Sequence, residues 1–100
     1  MAILAITTVS EARAAANEWL ITHLPDRFAA GIPNYDQTRR GWCIPVWLFY
    51  ARLEPLGPVG ELIVNAVSGE VETLTTLDEM KNRALKLYEQ HREQIEAPLL

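Results

Sequence analysis

A single cysteine, only two histidines and no long apolar run are the shortages that most constrain this 100-residue chain. Cys43 alone cannot close an intramolecular disulfide, so the fold has to hold without cross-links, which fits a reducing compartment. With His23 and His91 as the only imidazoles and no Cys-x-x-Cys pair, the ligands of a structural metal site are not assembled at any suggestive spacing. Nor does Cys43 carry the signature of an activated thiolate. No segment approaches the ~20 apolar residues needed to span a bilayer. The apolar start, Met-Ala-Ile-Leu-Ala-Ile, lacks both the basic n-region and the long h-region of a secretion signal. The expectation is a cytoplasmic protein with no membrane contact, no metal and no cofactor.

Positive charge is scarce too. Nine Lys and Arg against 13 Asp and Glu leave a net charge of -4 and a pI near 5.1, which repels a phosphate backbone unless the cations cluster. Arg39 and Arg40 are the one adjacent basic pair. Lys81, Arg83, Lys86 and Arg92 alternate with Glu79, Glu89 and Glu93, the pattern of a solvated helix face. Nucleic acid is therefore not an expected partner. Gly57-Pro-Val-Gly60 lacks the Lys-Ser or Lys-Thr ending of a phosphate loop and is a connector.

What is present is an ordinary globular composition, 49% apolar and 22% charged, in a chain able to bury roughly 65% of its unfolded surface. The expectation is a single α+β domain over residues 1–100, with its core at about 8–96. Thr8-Val-Ser-Glu11 has the spacing of a capping box and predicts a helix start. Ala12, Ala15, Ala16, Trp19, Leu20 and His23 or Leu24 recur at steps of three and four, while Arg13, Asn17 and Glu18 lie off that stripe. Pro25 ends the helix. Gly31 and Pro33 interrupt a short edge strand around Phe28 to Tyr35, and Asp36 to Gly41 reads as a turn.

Trp42 to Ala51 has the length and composition of a strand, with Pro45 requiring an edge or a bulge. After the two prolines of Glu54-Pro-Leu-Gly-Pro58 comes a hairpin, with strands near Val59 to Ala66 and Glu70 to Leu74 and Gly69 in the turn. Thr76-Leu-Asp-Glu79 is a second capping-box spacing. It opens a helix whose stripe runs Leu77, Met80, Ala84, Leu87, Tyr88, His91 and Ile95 and closes at Ala97-Pro98. The predicted order is an N-terminal helix, a three- to four-stranded antiparallel sheet and a C-terminal helix, with both helices on one face of the sheet.

The hairpin sequence Val64-Asn65-Ala66-Val67-Ser68-Gly69-Glu70-Val71 resembles the Val-Asp-Ala-x-Thr-Gly-Glu-Val type turn of PepSY-like domains, with Asn65 and Ser68 in place of Asp and Thr. The opening helix, Thr8-Val-Ser-Glu-Ala-Arg-Ala-Ala, is similar to the one that begins such domains. A small group of bacterial immunity proteins from toxin systems is similar as well, with a Gly-Trp before the central strand, here Gly41-Trp42, and the same late hairpin and helix. The resemblance implies a binding or inhibitory domain without catalytic residues.

The central strand is apolar on both sides, with Trp42, Ile44, Val46, Leu48 and Tyr50 pointing one way and Cys43, Pro45, Trp47, Phe49 and Ala51 the other. A sheet with helices on one face leaves the second face studded with Trp47, Phe49 and Ile63, the candidate partner-binding residues, for another protein or for a second copy in a homodimer. The competing reading covers that face with a helix, the N-terminal segment or the chain end, making the same residues core. Asp26, Asp36, Glu54 and Glu61 have no spacing that recommends an acid–base pair. The chain is therefore not expected to be an enzyme, and no catalytic residue is assigned. The alternative is a small ligand-binding domain or enzyme, with a pocket between the first helix and the sheet lined by Trp19, Trp42 and Tyr88.

Overall fold

The computed structural model describes residues 5–25, 27–50 and 53–96. The chain start, Asp26, the strand end at Ala51 and the Ala97-Pro98 helix stop lie outside the described residues.

Helix α1 (Val9–His23) begins where the capping box places it. Thr8 accepts from the Glu11 amide, and the Glu11 carboxylate accepts from the Thr8 amide, each at 3.1 Å. It ends at Leu24, which is extended, as the residue before Pro25 must be (φ -132°, ψ 160°). The stripe Ala12, Ala16, Leu20 and Leu24 is buried.

The sheet follows as β1 (Phe28–Ala30), β2 (Asn34–Asp36), β3 (Gly41–Leu48), β4 (Gly57–Asn65) and β5 (Val71–Thr73). All neighbouring pairs are antiparallel. β1 and β2 both flank β3 on one side, so five strand segments occupy four positions across the sheet, with β4 and then β5 on the other side.

Between Ala30 opposite Val46 and Asn34 opposite Cys43, three residues face two, which is a bulge. Pro45 sits at that bulge. Its carbonyl accepts from Gly31 at 2.8 Å, so the donor it lacks points into the irregular stretch and not into β4. A second register shift between Val46 and Trp47 leaves Val59 as the extra residue on β4. The hairpin turn is closed by both polar residues it contains: Asn65 Oδ1 accepts from Val67 and Ser68 amides, and Ser68 Oγ accepts from the Glu70 amide. Gly69 takes φ 78°, the left-handed conformation that a side chain disfavours.

Helix α2 (Leu77–Gln90) is capped by Thr76, which accepts from the Glu79 amide at 3.1 Å. The second capping box is only half made, because the Glu79 carboxylate lies toward Arg83 at 3.9 Å and not back toward the cap. The long helix expected to reach Ile95 breaks at His91 (φ -114°, ψ 15°), whose amide is shared between the Leu87 and Tyr88 carbonyls. A short helix α3 (Arg92–Ile95) follows.

Ala12, Ala16 and Leu20 of α1, Met80 and Ala84 of α2, and Ile44, Val46, Leu48, Val59, Leu62 and Val64 of the sheet belong to one core cluster. Both helices therefore cover the same face, in a two-layer α+β arrangement. Arg13 and Asn17, read from sequence as off the buried stripe, have a specific task. Asn17 Oδ1 accepts from the Ala30 amide at 2.8 Å and Arg13 Nε donates to the Ala30 carbonyl at 3.2 Å, so α1 seals the outer edge of β1.

Candidate functional site, the helix-free face of the sheet

Strand β3 alternates with a period of two: Ile44, Val46 and Leu48 are buried, and Cys43, Pro45 and Trp47 are half-exposed. The buried set points at the helices. The half-exposed set, continued by Phe49, looks the other way. Among the described residues, Trp47 and Phe49 belong neither to the core cluster nor to the apolar side chains packed against it.

Their positions are fixed by the strand ladder around them. Trp47 lies opposite Ala29 on one side and Pro58 on the other, and the Phe49 amide donates to the Arg27 carbonyl at 2.8 Å. The Trp47 indole lies flush against the backbone at the bulge, where a Cβ on Gly31 would come within 2.6 Å of Nε1. Only glycine permits that approach. The result is an apolar depression of about 380 Å3, lined by Gly31, Ile32, Asn34, Pro45, Trp47, Phe49 and Pro55. Ile32, at its rim, is 70% exposed.

Ile63, the third residue predicted for this face, lies opposite Cys43 and is only 8% exposed. It forms the floor of a neighbouring hollow of about 360 Å3, lined by Arg39, Ile63, Asn65, Glu70, Glu72 and Leu74. The structure thus brings Trp47 and Phe49 together at one depression and puts Ile63, mostly buried, in a separate hollow on the same face. Ile32 and Leu74, the latter 45% exposed, are contributors that sequence reading missed. The signal for Ile32 was present in its position between Gly31 and Pro33, which removes it from a regular strand and leaves its side chain uncovered.

His23 and His91 each place Nδ1 within 2.9 Å of the carbonyl four residues earlier, Trp19 and Leu87 respectively, and the His23 ring stacks on Trp19 with centroids 4.0 Å apart. The Cys43 Sγ is 4.0 Å from Arg39 Nη1. Among the described residues no group of three or more His, Cys, Asp or Glu is placed to hold a metal ion, and no helix is long and apolar enough to cross a membrane.

The Tyr88 hydroxyl donates to Glu96, which raises the phenol's pKa and lowers the carboxyl's. Tyr88 sits beside Tyr50, ring centroids 6.2 Å apart, whereas Trp42 packs edge-on to Tyr35 at the opposite end of the central strand. From Trp42 to Leu48 alone the strand advances six residue steps of ~3.3 Å each. Trp19, Trp42 and Tyr88 therefore do not line one pocket. The hollow that Tyr88 does line, about 280 Å3, is formed with Phe28, Leu48, Tyr50 and Lys81. Comparisons with protein-family models, with curated proteins and with solved structures return no match.

Proposed function

We propose that this protein is a non-catalytic binding module, acting as an inhibitor, immunity factor or accessory subunit, which docks a partner protein on the helix-free face of its sheet. The observation that carries the reading is the pair Trp47 and Phe49. Two large aromatics, half-buried and outside the core cluster, line one apolar depression on the face turned away from α1 and α2. Partly buried aromatic side chains held by a rigid strand lose little entropy on binding and are the usual anchors of protein interfaces. The PepSY-like resemblance of the hairpin supports the same reading, as does the immunity-protein likeness of Gly41-Trp42. A cytoplasmic partner fits the single unpaired cysteine.

The test separates docking from folding. A photo-crosslinking residue at position 49 is expected to give a discrete adduct in cells, and one at Lys86, on the outer face of α2, none. Trp47→Ala with Phe49→Ala should abolish the adduct from a crosslinker at Ile32 while costing about 2 kcal/mol of stability for the pair. Leu62→Ala, in the core, should cost about 2–5 kcal/mol. Unfolding of the double variant, or equal adducts from both faces, would overturn the reading.

A further inference from the structure

The kind of partner is legible in the charges on the same face as the aromatics, an inference that rests on the docking reading above. Across the sheet in register, Pro45 lies opposite Glu61, and Cys43 lies opposite Ile63, which lies opposite Glu72. Glu61 and Glu72 thus share the helix-free face with Trp47 and Phe49. Glu70 and Glu72 wall the hollow above Ile63. Among the described residues none of these three carboxylates enters an ion pair. Arg39, the one cation among the described residues that line the hollow, is already 3.9 Å from Asp36.

We infer that the occupant is a basic, apolar-anchored polypeptide segment. It seats an aliphatic or aromatic side chain in the Trp47–Phe49 depression and lays Lys or Arg along Glu61, Glu70 and Glu72. Apolar burial supplies the affinity, and the row of carboxylates selects the sign of the partner and speeds its approach. A second copy of this chain is disfavoured by the same charges, since two molecules each of net charge -4 would bring their carboxylate rows together.

The experiment titrates the labelled protein with three short synthetic peptides that share their Leu and Trp positions and carry Lys, Gln or Glu at the others, followed by amide chemical shifts. The Lys peptide is expected to move the signals of Trp47, Phe49 and Glu72 and to leave the helices unmoved. Its affinity should fall by about tenfold or more in the triple variant Glu61→Gln, Glu70→Gln, Glu72→Gln, and fall again with added salt. If the Gln peptide binds the same face as tightly, the charge assignment is overturned while docking at this face stands. Shifts confined to the helices would overturn both. Failure of the Lys peptide to bind overturns the basic-segment assignment. So does self-association of the wild type that Trp47→Ala abolishes, which would make the occupant a second copy.

Discussion

At Glu11 a single carboxylate oxygen accepts four hydrogen bonds, from the amide and hydroxyl of Thr7 and the amide and hydroxyl of Thr8, at 2.9 to 3.1 Å. The Thr7 hydroxyl is the largest influence, and together these donors hold the carboxyl below its ordinary pKa. A carboxyl that titrates lower when folded is protonated more readily in the unfolded chain. Its contribution to stability is therefore complete above the ordinary carboxylate range and is lost as pH falls through the folded value. Glu11→Gln should melt below the wild type at neutral pH, and the two curves should converge as the solution is acidified. Parallel melting-temperature profiles across that range would mean that the cap does not titrate as described. The same scale fixes how Trp47 lies: its indole packs on the bare backbone of Gly31, and Gly31→Ala should shift the tryptophan fluorescence of the protein.

Among the elements, those set by neighbours in sequence were legible and those set by tertiary approach were not. The capping box at Thr8, the buried stripes of both helices, the period-two alternation of β3 and the hairpin around Gly69 all depend on spacings of two to four residues, which a sequence displays directly. Trp47 and Phe49 were legible as a face for the same reason. Ile63 carried the right periodicity, yet its burial follows from its packing against Gly41, where an added Cβ would meet its Cγ1 at 2.9 Å.

The seal on β1 was hidden because Arg13 and Asn17 reach Ala30 across 17 and 13 residues, and on a helical wheel both resemble solvent positions. That seal carries its own prediction. Asn17→Ala leaves the Ala30 amide without its acceptor on the outermost strand, which should cost about 1 kcal/mol and, more tellingly, expose an edge able to pair with another chain. Light scattering on heating should rise for Asn17→Ala and remain at the wild-type level for the surface control Glu18→Ala. Equal scattering would show that the edge is protected by other means.

For the whole molecule, a core gathered mainly on the helix side of the sheet dictates where stability resides. β3 is hydrogen-bonded on both sides, to β1 and β2 and to β4, and β4 is held between β3 and β5. Their inward side chains meet α1 and α2 in one cluster, so these strands can open only when the layers part. β5 is a three-residue edge strand whose side chains are half-exposed or exposed, and α3 buries no residue at all. Regions with little buried apolar area open with small free energies, and the global value is reached only where opening dismantles the core.

Amide exchange should therefore be slowest at Ile44, Val46, Leu62 and Val64, and fastest in Arg92–Ile95, with Val71–Thr73 intermediate. Because Trp47 and Phe49 lie outside the core cluster, Trp47→Ala with Phe49→Ala should leave the slowest class nearly unchanged, whereas Leu62→Ala should accelerate it throughout. If the double variant instead speeds exchange across β3 and β4 as strongly as Leu62→Ala does, the two faces share the stabilisation. The aromatics would then belong to the fold and not to a binding surface.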